Sequence, residues 1–472
     1  MTRRMMFWAF PGLLSLTAFA ASPGWAQTPS QPAPANPLSD VMTQQTLLGD
    51  MGGLRPWLQN YGATLSITET SEVLGNLTGG IRRGFEYDGL TTMTFQLDTA
   101  RAFGWQGGTF DASALQIHGR NLSADNLLSL QTASGIEADR ATRLWELWYQ
   151  QQFWNGAADI KIGQQSLDQE FMTSTNALLF VNTMFGWPAV PSYDMPGGGP
   201  AYPLSAPGIR LRGHPTPELT FLAGVFNGSP SPNNNIPDSQ VANPSGTSFP
   251  LNGGVLAIAE LQYAYPSVGG MVAPGQAQPL VRTYRLGFWY DSENFADQRY
   301  DTNGVSLASP ASNGIPFGHH GDFGFYAVAD QMIWQSGEDS NHSVSLFTRL
   351  MGTPESDRNL VDFALNAGVT YHEPLPGRAD DTLGLGVGYA HVSGRVAGLD
   401  RDTNLFGGFA PVQSGETFVE LTYQIQVAPW WQIQPDFQYV FNVGGGEANP
   451  LSAIPQKIKN EAVIGVRTNI TF

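Results

Sequence analysis

The side chains able to do chemistry in this chain stand two residues apart. His118 and Arg120 form one such pair, Glu146 and Trp148 a second, Asp159 and Lys161 a third, and Arg210 and Arg212 a fourth. Successive side chains of a strand point to opposite faces, so a spacing of two puts both members on one face. Arg285, Asp362, Glu416, Glu420, Asp436 and Arg467 follow in the same alternating context. Both charge signs are present, interleaved with Gln, Asn and Thr. Sugar hydroxyls need donors and acceptors together, and an aromatic face such as that of Trp148 covers the C–H surface of a sugar ring. An anion path should be rich in Lys and Arg, whereas this set has an acidic excess. A water-filled pore with a generic polar lining is the competing expectation, in which Arg210 and Arg212 only balance nearby carboxylates.

Catalytic constellations do not assemble. His372-Glu373 begins a metalloprotease pattern, but Pro376 stands where the second His is required. Asp400-Arg-Asp-Thr-Asn404 is similar to the start of a calcium loop, with Leu405 in place of the needed Gly, so a plain loop turn is expected. His319-His320 lies in a Gly-rich stretch and is expected to face solvent. Neither a Gly-x-Ser-x-Gly elbow nor a phosphate-binding Gly-Lys-Ser/Thr loop occurs. The strand histidines His118 and His391 have no Ser partner. Cysteine is absent, which excludes thiolate nucleophiles, disulfides and Cys-ligated metals. No catalytic residue, metal ligand or cofactor is assigned, and an outer-membrane hydrolase stands as the least supported class.

The elements that must position these groups are strands. In the last stretch, Glu461–Phe472, Ala462, Ile464, Val466, Thr468, Ile470 and Phe472 share one face. Glu461, Val463, Gly465, Arg467, Asn469 and Thr471 share the other. A tilted strand needs about 9–11 residues to cross a bilayer's apolar layer. The same period of two recurs near 63–74, 87–98, 109–119, 142–153, 158–165, 207–214, 219–228 and 254–265. It continues near 280–291, 322–334, 342–350, 361–371, 381–392, 416–427, 430–441 and 461–472. The segments near 254–265 and 322–334 do not assign cleanly to one face. The count is about sixteen, an even number. Asn155-Gly156, His214-Pro-Thr-Pro217 and Ala428-Pro429 are tight turns, and the long connections are 166–206, 229–253, 292–321, 393–415 and 442–460. In lipid every backbone polar group must be paired, so such a sheet must close on itself. The expected fold is all-β, a closed antiparallel transmembrane β-barrel with long external loops and short periplasmic turns.

Composition agrees. Charged residues make up 13% of the chain, against about 25% in a typical soluble domain. The formal net charge is −17, with Lys161, Lys457 and Lys459 the only lysines, which disfavours nucleic acid as a partner. Residues 1–26 read as a secretory signal, with Arg3 and Arg4 before an apolar run and cleavage after Ala26; a cut after Ala20 is the alternative. Past it no run of 18 or more apolar residues occurs. Residues 27–46 form a Pro-rich periplasmic linker, 47–62 a short N-terminal segment, and 63–472 the barrel.

The connection 166–206 holds Asp168, Gln169 and Glu170, the apolar Ala177–Val181, and then Pro196-Gly-Gly-Gly-Pro200. A loop with its own apolar piece should leave water, so it is expected to fold into the barrel as a constriction; packing over the rim is the alternative.

The chain resembles the bacterial carbohydrate-selective porin family (OprB-like). Leu48-Gly-Asp-Met-Gly-Gly-Leu-Arg55, Ser71-Glu-Val-Leu-Gly-Asn76 and Gly79-Gly-Ile-Arg-Arg-Gly84 carry the resemblance, with Ser113-Ala-Leu-Gln-Ile-His-Gly-Arg120 and Arg143-Leu-Trp-Glu-Leu-Trp-Tyr149. Ile162-Gly-Gln-Gln165, Asp168-Gln-Glu170, Leu179-Phe-Val-Asn182, Phe185-Gly-Trp-Pro188 and Gly198-Gly-Pro-Ala-Tyr-Pro203 continue it. The likeness runs from about Leu47 to the C-terminus; the family's usual Asn-Pro-Gly-Gly is altered here to Asn442-Val-Gly-Gly445 in an external loop. The resemblance implies a sixteen-stranded barrel in the outer membrane of a Gram-negative bacterium, passing glucose and related sugars by diffusion. A general or ion-selective porin is the alternative. Expected partners are mono- and small oligosaccharides, outer-membrane lipid, and the barrel assembly machinery through the terminal strand ending at Phe472. By motif context the resemblance favours Glu146, Arg210 and Arg212. The candidate sugar contacts are these three with Trp148, Arg120, His118, Lys161, Asp168 and Glu170.

Overall fold

The computed structural model describes residues 41–232, 236–267, 279–337, 342–454 and 456–472. The expected signal and most of the Pro-rich stretch lie outside these residues.

Sixteen strands follow one another: β1 (Ala63–Thr78), β2 (Gly84–Asp98), β3 (Gly108–Gly119), β4 (Ala141–Phe153), β5 (Ala158–Gln165), β6 (Ala206–Gly213), β7 (Leu219–Asn227) and β8 (Val255–Tyr265). Then come β9 (Arg282–Asp301), β10 (Pro316–Gln335), β11 (Ser343–Gly352), β12 (Val361–His372), β13 (Thr382–Val392), β14 (Gly415–Ala428), β15 (Trp431–Phe441) and β16 (Glu461–Thr471). Each pairs antiparallel with its neighbours in sequence, and β1 pairs with β16, so the barrel is closed. Closure removes the edges whose free N–H and C=O groups lipid has no means to satisfy. At the seam the register sets Glu72 opposite Arg467, and the guanidinium donates to the Glu72 carboxylate inside the wall. The N-terminal segment fastens the same seam. Its helix Leu54–Asn60 carries Arg55, which donates to the Phe472 carbonyl, while Leu47 N–H donates to Thr471 O at 2.8 Å.

Alternation sorts the wall. On β1 Val73 is 47% exposed on the outer face while its neighbours Glu72 and Leu74 are buried. Leu286, Phe325, Leu421, Phe437 and Val466 are likewise exposed on the outside, an apolar surface far larger than water tolerates on a monomer.

Inside, the wall is not uniformly polar. The connection 166–205 lies within the barrel, and its Phe171, Phe180, Met184, Phe185 and Trp187 form one buried cluster with wall residues of β7 to β15, among them Leu256, Ile258, Trp289, Val328, Phe347 and Phe418. This explains why 254–265 and 322–334 gave no clean polar face: Leu256 and Ile258, and Tyr326 and Val328, point inward onto that loop. Other expectations are corrected. The stretch 292–321 is mostly strand, because β9 and β10 run 20 residues each and leave 302–315 as their connection. Asp400–Asn404 lies in the helix Gly394–Leu405, capped by Ser393, instead of a turn. His319 is not free in solvent, being 2.9 Å from an Asp297 carboxylate oxygen.

Candidate functional site

Two connections fill the barrel's middle and hold each other. Gly135 N–H donates to Val181 O at 2.9 Å and Thr183 N–H to Thr132 O at 3.2 Å. Tyr193 OH donates to Leu130 O at 2.6 Å, and Tyr202 OH to Ile136 O at 2.7 Å. Residues 120–140 and 166–205 thus form one constriction; the sequence singled out only the second.

Buried wall groups latch this insert. Glu416 accepts the N–H groups of Leu130 and Gln131 at 2.9 and 2.7 Å and of Gly444 at 2.7 Å. Glu420 accepts those of Val181 and Asn182 at 2.6 and 3.0 Å. Arg349, fully buried, donates to the carbonyls of Met172 and Gly186 at 2.9 and 3.0 Å and to that of Met184. Irregular backbone buried away from water must find such partners. Glu416 and Glu420 face the lumen as the alternation predicts, but they are spent on loop backbone and not open to a solute.

Seven of the nine candidate contacts come together on β4, β5, β6 and the start of the 166–205 loop. Lys161 pairs with Glu170, and Arg210 donates to Glu170 at 2.9 Å and to Asp159. Arg212 donates to the other Asp159 oxygen at 2.7 Å. The Lys161 ammonium stands 4.4 Å from the centre of the Trp148 ring. Glu146 accepts from Ser166 N–H at 3.0 Å, and Asp168 from Ser166 Oγ at 2.6 Å and Tyr202 N–H at 3.0 Å. Burial alone would raise the Glu170 carboxyl, but Lys161 and Arg210 hold it down at about 2. The centre of the network is sealed: Arg210 is 1% exposed, whereas Arg212 is 31% exposed. Arg212, Trp148, Glu146, Asp168 and Glu170 keep part of their surface, whereas Arg210 and Lys161 are buried.

Two candidates lie elsewhere. Arg120 is 61% exposed at the loop end of β3, 3.0 Å from Asp125 and 3.6 Å from Glu86. His118 faces outward, a correction to the lumenal assignment. The inner face of β3 carries Leu115 and Ile117, buried with Leu90 and Ile136, so here the apolar residues point in and the polar ones out.

The hydroxyl-bearing arc beside this cluster was not singled out from sequence, although its alternation was legible. Thr64, Ser66, Thr68 and Thr70 of β1 share the inner face of Glu72, and Thr92, Thr94 and Gln96 of β2 share that of Asp88, all with surface left open. Thr70 Oγ1 bonds Asn469 Oδ1 at 2.8 Å, Gln432 donates to Gln426 Oε1 at 2.8 Å, and Gln96 donates to Asp111 at 3.0 Å. The result is a wall of alternating donors and acceptors from β14 through β1 to β3.

The sequence pattern of the carbohydrate-selective porin, OprB family, matches residues 82–472. Porin B of Pseudomonas aeruginosa is 26% identical over 453 residues, spanning 90% of this chain and 91% of that protein. Putative porin QuiX of Acinetobacter baylyi is 23% identical over 432 residues, spanning 85% of this chain and 89% of that protein. The high-pH structure of Pseudomonas putida OprB matches with a TM-score of 0.78 at 25% identity, covering 91% of this chain and 99% of that one. Its low-pH structure matches with a TM-score of 0.54 at 18% identity, over the same 91% and 99%.

Proposed function

The chain belongs to the carbohydrate-selective porin, OprB family, and from that premise we propose how sugars cross it. It is a porin of the Gram-negative outer membrane, a barrel whose chemistry is passage. Mono- and small oligosaccharides descend along the side of the lumen that the loop insert leaves wet. There the Thr, Ser, Gln and Asn arc of β14 to β3 exchanges hydrogen bonds with sugar hydroxyls, and Trp148, Arg212 and Asp168 supply a ring face and charged partners. The observation that carries this reading is the division of the inner wall. From β7 to β15 its apolar residues, interleaved with buried latches such as Arg349 and Glu420, are covered by the loop insert, while the Thr, Ser and Gln side chains of β1 and β2 keep open surface. Outer-membrane lipid meets the exposed Val73, Leu286 and Phe437 face. The barrel assembly machinery reads the β16 strand ending at Phe472.

Liposome swelling tests it. Glucose should enter faster than a disaccharide and faster than an amino acid of matched size, and Arg212→Ala with Trp148→Ala should weaken the block of ion current by glucose. Equal swelling rates at matched size would return the chain to the general-porin reading.

A further inference from the structure

The outer wall holds a trench that runs along β10. The register sets Tyr284 of β9 beside Ala329 and Leu286 beside Ala327, and the same two alanines beside Thr348 and Leu350 of β11. The alanines make a low floor between taller rows on either side, and the trench encloses about 340 Å³, the small end of the range of ligand clefts. Leu286 is 64% exposed and Leu350 43%, so the trench opens outward, away from the lumen. The next outward residue of β10, the exposed Phe325, ends the row of small side chains. At the opposite end, toward the β8–β9 connection, the surface turns polar. Arg282, opposite Gln331 in the register, lies over the Tyr265 ring, 4.7 Å from its centre. Tyr284 OH donates to Gln331 Oε1 at 2.7 Å, and Tyr263 stacks on Tyr284 with ring centres 6.4 Å apart. Among the described residues no carboxylate pairs with Arg282.

Three tyrosines on one level of an outer wall mark the membrane–water interface, where amphipathic rings settle. The β8–β9 connection lies on the side of the short turns, so this level is the periplasmic one. From Phe325 to Gln331 the strand rises about 20 Å, which at a tilt of about 40° is about 15 Å of depth, half of the apolar core of about 30 Å. The trench therefore has the reach of one leaflet. We propose that it seats one acyl chain of an anionic glycerophospholipid from the periplasmic leaflet, with the lipid's phosphate held at Arg282. The apolar walls suit a hydrocarbon chain, and the guanidinium at the headgroup end supplies the opposite charge that a phosphate needs. The alanine floor gives the chain its room: longer side chains at 327 and 329 would fill the trench. This inference rests on the outer-membrane placement and not on which solute crosses the lumen.

Native mass spectrometry of the delipidated, refolded barrel, titrated with dipalmitoyl phosphatidylglycerol in mild detergent, tests the seat. The wild type should hold one lipid per chain well before a second adds. Arg282→Gln should weaken that first binding about fivefold, the worth of one surface cation toward an anionic headgroup. Ala327→Leu with Ala329→Leu should weaken it at least as much, by filling the trench without touching the charge. Val73→Ala, outward on β1 across the barrel, should leave it unchanged. Each variant should keep its heat-shifted mobility on gels, which shows that the barrel has folded. A statistical ladder of lipid adducts in the wild type, dipalmitoylglycerol binding as tightly as the phospholipid, or equal binding by the wild type and both trench variants would overturn the proposal. Swelling by glucose should be the same in all of them; its loss would bear on the transport reading and not on this one.

Discussion

Glu420 and Asn182 lie 238 positions apart, and the carboxylate of one accepts the backbone N–H of the other at 3.0 Å. That bond, with its twin to Val181 at 2.6 Å, joins the wall of the barrel to the loop that narrows it. A carboxylate with two lone pairs per oxygen is suited to hold two adjacent N–H groups that no strand can serve.

Glu420→Leu should leave both N–H groups without an acceptor, at a cost of about 1–3 kcal/mol for each unsatisfied group. The barrel ladders do not depend on it, so the folded band should persist on unheated gels. Single-channel conductance should fall and the penalty against disaccharides should grow as the loop loosens from the wall toward the wet side of the lumen. Unchanged conductance would show that the apolar contacts alone hold the loop.

Removing Arg210 tests the sealed network. Arg210→Met leaves Asp159 and Glu170 buried with fewer cations, and breaking a buried pair costs about 3–5 kcal/mol. Arg212→Ala, at a position open to water, should cost about 1 kcal/mol or less yet disturb sugar block more. Denaturant unfolding of the refolded barrel separates the two effects from current-block measurements.

Two loop carboxylates give opposite pH signs. Glu170 sits at about 2, below its ordinary 4.5, because Lys161 and Arg210 outweigh its burial. Its stabilising contribution is present above pH 4.5 and is lost as pH falls through about 2. Glu137, in the 120–140 loop, is pushed up to about 7 by burial, although Ser123 N–H donates to it at 2.9 Å. Its contribution is full below pH 4.5 and is lost as pH rises through about 7. Hydrogen exchange of residues 120–140 should therefore slow on going from pH 7.5 to 5 after correction for intrinsic rates, and Glu137→Gln should abolish that change.

The strands were legible because alternation is local: a period of two needs only neighbouring residues, and β5 was bounded to the residue. The charged cluster was legible for the same reason, since Asp159 with Lys161 and Arg210 with Arg212 fix a face whatever surrounds them. What alternation lacks is knowledge of what covers a face. On β3 the insert buries Leu115 and Ile117, so His118 was placed in the lumen when it lies outside. On β8 and β10 both faces are apolar, one against lipid and one against the loop. Alternation puts Glu416 and Glu420 on the lumenal face but not against loop backbone, because Leu130 and Val181 lie more than two hundred residues away.

The apolar anchor of the loop sets the size of the remaining path. Phe185 stands 4.4 Å from Phe180, 5.6 Å from Phe347 and 5.2 Å from Phe418, measured between ring centres. The first contact lies within the loop and the other two tie it to the wall, and Phe185 is buried. Phe185→Ala would open a cavity inside the barrel and cost about 3–5 kcal/mol if the surroundings stayed put. Here they can move, because the lumen beside the loop is wet, so part of that cost should be relieved by the loop leaving the wall. The expected variant therefore keeps its barrel, loses stability by less than a full cavity would require, and swings the loop into the sugar path. Glucose swelling should fall while the unfolding midpoint drops modestly. A variant with faster swelling would mean that the loop, once released, moves outward toward the rim instead.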